Sequence, residues 1–124
     1  MKKQKTAGLR RTKLINPKEL DPLVLPVRKA LDAISDGSGL SPEETISMSL
    51  FATIAEQVAI LRHKEKGEVA AQRLATAIDQ MIQEGAIDEE VLDQMKADFF
   101  NLTLMIRSVP AIDVWQIVDN VTRK

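Results

Sequence analysis

The chain opens with MKKQKTAGLRRTK, and six of those thirteen residues are cations: Lys2, Lys3, Lys5, Arg10, Arg11 and Lys13. No acidic residue interrupts them. Ammonium and guanidinium groups at this density suit phosphate oxygens. Each phosphate they neutralise releases counterions, so such binding weakens steeply as salt rises. The arm has no aromatic residue, which argues against base stacking and leaves the backbone or minor groove of a nucleic acid as its target. Two other readings stand beside this one. The arm can dock on a carboxylate-rich surface, in a protein partner or in this chain, or it can serve only to solubilise.

Elsewhere the residue types that do chemistry are sparse. His63 is the only histidine and there is no cysteine, so the sequence implies no metal site and no cofactor. A Ser/His/Asp nucleophile would have to use the same His63, which lies in LRHKEKG near an expected helix C-terminus, where a cation is favourable. Glu43–Glu44 and Asp88–Glu89–Glu90 fall in expected first helical turns, and the helix dipole accounts for them without catalysis. DAISDGSGLSPEE has the flavour of a calcium loop. With Gly37 as the turn glycine, however, Ile34 takes a ligand position and Gly39 the apolar anchor, so the match fails. Gly37-Ser38-Gly39 lacks the Gly-Lys-Ser/Thr that a phosphate cradle needs. No catalytic site is expected.

Two DNA-reading layouts bear on the helical body. A helix-turn-helix around EGAID would present Asp88, Glu89 and Glu90 to the groove, where phosphates would repel them. LRRTKLI as a short strand, then a helix, a Gly-containing turn and the helix capped at Ser41 resembles the layout of dimeric ribbon-helix-helix DNA readers. That resemblance covers about half the chain and leaves everything after Gly67 as an appendage. It implies a homodimer with strands in a groove.

The elements that must carry these residues follow from composition and periodicity. Hydrophobic residues make up 44% of the 124 positions but aromatics only 3%, so the core is aliphatic and Ala-rich, which favours helices over sheets. The length suits one domain and needs no disulfide. Net charge is −1, yet it is split between an arm of +6 and a body of −7. No apolar run approaches the roughly 18 residues of a membrane span. LINPKELDP after the arm is no apolar signal region, so no membrane partner is expected and the expected location is cytoplasmic.

Helical spacing predicts a first helix from Pro22 or Pro26 to Ser35, broken by DGSG. Ser41, Pro42 and Glu44 form a capping-box start for a second helix, expected to run to Lys66 and stop at Gly67. Two stripes mark it as central. One is Ile46, Leu50, Ile54, Val58 and Leu61; the other is Met48, Phe51, Ala52, Ala55 and Ala59. A third helix follows over 68–84 with the stripe Ala70, Leu74, Ala77, Ile78, Met81 and Ile82, ended by Gly85. A fourth starts at the Asp88 cap and carries Leu92, Met95, Phe99, Leu102, Ile106 and Val109 up to Pro110. The tail AIDVWQIVDNVTRK fits helix or strand, and without another strand to pair with it reads as helix.

The expected fold is an all-α, single-domain bundle of four to five helices over 17–124, preceded by a flexible basic arm over 1–16. Ile54 and Val58 should lie at its centre. Phe100 and Leu104 form a second apolar strip on the fourth helix. With Trp115 they make an expected homodimer interface. The leading function is a non-enzymatic, nucleic-acid-associated or regulatory protein. The alternative is a protein–protein adaptor with an inert tail, and a ribbon-helix-helix-like DNA-binding dimer is a variant of the first.

Overall fold

Asn16 starts the first helix. Its side-chain oxygen accepts from the Lys18 N–H at 2.9 Å, and Pro17 takes the first helical position, where a missing N–H is no loss. In the computed structural model, which describes residues 13–123, helix α1 therefore spans Pro17–Ser35 and begins earlier than Pro22 or Pro26. Both prolines sit inside it. The carbonyls that lose their helical donors to these prolines belong to Lys18 and Pro22, both exposed residues. The opposite face buries Leu20, Val24, Val27, Ala30 and Leu31. Burial begins before the helix, at Ile15, in the segment read from sequence as arm.

Helix α2, Pro42–Leu61, has the expected capping box: Ser41 Oγ accepts from the Glu44 N–H at 3.1 Å and Glu44 Oε1 accepts from the Ser41 N–H at 3.0 Å. It stops short of Lys66. The Lys64 N–H donates to the Ala59 carbonyl at 2.8 Å and the His63 N–H to the Ile60 carbonyl at 3.2 Å, the two bonds of a Schellman turn, with His63 at φ 53°. Helix α3 then starts at Glu65 and runs to Glu84, with Gly67 inside it. Gly85, at φ 76°, ends it as expected. Helix α4 spans Glu89–Arg107, with Asp88 at the N-cap but making no side-chain cap bond. The tail is helical, α5 over Ala111–Thr122.

Short connections make successive helices antiparallel. α1, α2, α3 and α4 form a four-helix bundle in which α1 and α3 each touch both α2 and α4, and α2 meets α4 across the centre. α5 packs on the outer side of α2. α2 is thus covered from several directions, and Met48, Phe51, Ile54, Ala55 and Val58 are completely buried. Phe51 meets Phe99 of α4 edge-to-face, with centroids 5.1 Å apart. The length and hydropathy of α2 would also suit a membrane span, but here they serve a core helix. Its expected stripe holds only in the middle. Ile46, near the start of the helix, and Leu61, its last residue, are exposed. Ile82 of α3, one turn beyond the buried Ile78 and close to the helix end, is also exposed. Among the described residues there is no strand. Lys13–Ile15, the described part of the expected ribbon, contribute only an isolated bridge between Leu14 and Pro110. The chain after Gly67 supplies most of α3 and all of α4 and α5, so it is no appendage.

Candidate functional site

The alternating helix directions sort the charges. One end of the bundle gathers the α1–α2 and α3–α4 turns, with Asp36, Glu43, Glu44, Glu84 and Asp88–Glu89–Glu90. The Asp36 carboxyl is held below its ordinary pKa by the Ser38 hydroxyl and then by the Ser38 backbone N–H. The other end gathers the root of the N-terminal arm, the α2–α3 turn and the α4–α5 corner, with Lys13, Lys18, Arg62, Lys64, Lys66 and Arg107. Glu19, Glu65, Glu68 and Asp113 partly offset these, so this end is mixed and the first end almost purely acidic.

Three contacts fix the cationic end. The Ala111 N–H donates to the Lys13 carbonyl at 2.8 Å, beside the Leu14–Pro110 bridge. Arg62 Nη1 lies 3.5 Å from Asp113 Oδ2, tying the end of α2 to the start of α5. The Schellman turn places His63 and Lys64 at the mouth of a cleft between α3 and α4 of about 990 Å³, also lined by Lys66, Val69, Ala70, Leu102 and Met105. A Cβ at Gly67 would run into the Met105 sulfur and lie 3.3 Å from the Ala59 Cβ, so this glycine permits the close approach of α3 to its neighbours. Lys64 is the N-cap of α3 and its side chain makes no cap bond.

Deeper in the cleft, Arg73 Nε donates to Asp98 Oδ2 at 2.8 Å and Arg73 Nη2 to Oδ1 at 2.6 Å, while Gln94 Nε2 donates to Oδ1 at 3.1 Å. Asp98 is only 1% exposed, whereas the Arg73 side chain is 49% exposed. The fork geometry orients both groups, and the bond to Asp98 raises the guanidinium pKa further. The pair locks α3 to α4. Among the described residues no three His, Asp or Glu side chains converge as metal ligands would.

Of the arm cations, Lys2, Lys3, Lys5, Arg10 and Arg11 lie outside the described residues. Lys13 is exposed at the cationic end. Phe100 and Leu104 are 62% and 45% exposed, one turn apart on α4, and form an open strip. Trp115, 37% exposed, is on α5, which packs on α2, so the structure does not join it to that strip through helix packing. Sequence reasoning missed the Arg73–Asp98 pair and the cleft. The available signal was a lone Asp98 among the apolar positions Met95, Phe99 and Leu102. No family model, curated protein or solved structure matches the chain.

Proposed function

We propose that the chain is a non-enzymatic, cytoplasmic, nucleic-acid-associated protein whose basic arm contacts the phosphate backbone while the helical body presents it. The observation that carries this reading is the polarity of the bundle. The arm joins the body at the end that holds Lys13, Arg62, Lys64, Lys66 and Arg107, and the carboxylate cluster lies at the far end. Helices of 19–20 residues separate the ends by about 30 Å, beyond the Debye length of about 8–10 Å at physiological salt. A polyanion on the arm is therefore screened from that far cluster and meets an end where cations outnumber carboxylates. The test is an electrophoretic shift with duplex and single-stranded DNA across a salt series. Six engaged cations give a log–log salt slope of about −5 on duplex DNA. Deleting residues 2–12 should abolish the shift and leave helical content unchanged. No shift at low salt with either probe would give the lead to the adaptor reading.

The body self-associates as a homodimer through Phe100 and Leu104 in this proposal. The support is their exposure on α4, since paired apolar groups left open to water favour an interface. A dimer also doubles the number of arms per complex. Sedimentation equilibrium at micromolar concentration should give twice the chain mass, and Phe100→Glu should halve it with the helices intact. A monomeric mass for the parent chain removes the dimer and leaves one arm per molecule.

A further inference from the structure

We infer that the cleft between α3 and α4 is a docking site for an acidic peptide segment carrying an apolar anchor, a protein contact separate from the arm. Its floor is apolar: Leu102 and Ala70 are buried, Val69 is 55% exposed and Met105 is half-buried. Its rim is net cationic, with Lys64 and Lys66 against the single carboxylate of Glu65. Lys64 and Lys66 stand at the mouth with His63, and Arg73 stands further in. Arg73 commits Nε and Nη2 to Asp98, so the pair already orients the guanidinium and leaves Nη1 for an incoming carboxylate. The size, about 990 Å³, is that of a site for one or two side chains with their flanking backbone.

Charge complementarity selects the occupant. The chain's own arm bears the same sign as the rim and is repelled. A phosphodiester strand would find no aromatic surface among the cleft residues and carries no apolar side chain for the floor. An acidic peptide places separate carboxylates on Lys64, Lys66 and Arg73 and one apolar side chain between Val69 and Met105, which uses both chemistries of the cleft. The bundle then joins two partners from one end, a polyanion through the arm and an acidic protein segment through the cleft.

The experiment uses the full chain with ¹³C-methyl-labelled methionine and a synthetic peptide of four glutamates, a Leu-Phe pair and four more glutamates. The Met105 methyl should shift on titration while the core methyls of Met48 and Met95 stay in place. The double variant Lys64→Glu/Lys66→Glu, whose substituted side chains are exposed and whose folding circular dichroism checks, should weaken the peptide by about tenfold or more, as should Val69→Asp. Deleting residues 2–12 should leave the affinity unchanged, which separates this site from the arm. The inference is overturned if Met105 does not move at millimolar peptide, or if a peptide with the Leu-Phe pair replaced by two glycines binds equally well. It is also overturned if duplex DNA shifts Met105 as strongly, which gives the cleft to nucleic acid. A shift on concentrating the chain alone overturns it in favour of a second copy.

Discussion

At the carboxylate end, α2 starts on a complete capping box and α3 stops on Gly85, the residue that a left-handed position favours. At the cationic end, α2 stops on His63 in that same backbone region, and α3 starts on Lys64, whose side chain has no acceptor for the first turn. These two helices follow the local rules at their carboxylate-end termini and depart from them at the cationic end. A left-handed conformation costs a residue with a Cβ about 1–2 kcal/mol relative to glycine. Natural sequences depart from local preference mainly where a requirement other than stability acts. Here the departures coincide with the cleft mouth.

The largest effect belongs to the middle that both ends share. Ile54→Ala should cost about 2–5 kcal/mol in urea unfolding, because the completely buried site cannot collapse around the loss. A loss below about 1 kcal/mol would remove α2 from the centre and with it the frame that separates the ends. Next comes the acidic end. Ser41→Ala removes the acceptor for the Glu44 N–H and should cost about 1 kcal/mol. The smallest effect has the opposite sign: His63→Gly should gain about 0.5–1 kcal/mol, from relief of the left-handed strain less the added unfolded-chain entropy. Stability lost on His63→Gly would mean that the His63 side chain makes a stabilising contact, and the contrast between the ends would fail.

Much of the fold is legible in the sequence, and the misses share a cause. The capping box at Ser41, the stop at Gly85 and the apolar spacing of α4 are local signals, and each holds in the structure. The end of α2 was misplaced because Gly67 looks like a helix stop. The chain instead turns on His63 and uses Gly67 for a close helix approach, a tertiary need that no local rule reports. The start of α1 is hidden because Pro22 and Pro26 look prohibitive, whereas the residues whose carbonyls lose a donor, Lys18 and Pro22, are exposed. The cleft is less legible still. Arg73 and Asp98 are 25 residues apart, and nothing in the spacing pairs them. Phe100 and Leu104 were found as a strip because one helix carries both. Trp115 was grouped with them without any packing to support it.

The bond from the Ala111 N–H to the Lys13 carbonyl has a consequence for solvent exchange. Ala111 is the first residue of α5, at a position where a helical N–H has no partner inside its own helix. Its protection from deuterium therefore depends on the root of the arm at Lys13. Any load that draws Lys13 away from the α4–α5 corner opens this amide to water, while the core amides of α2 remain closed. Any load that settles the arm root against the corner slows its exchange. The Ala111 amide is thus a native probe of tension at the junction, readable by exchange NMR without a label on the arm.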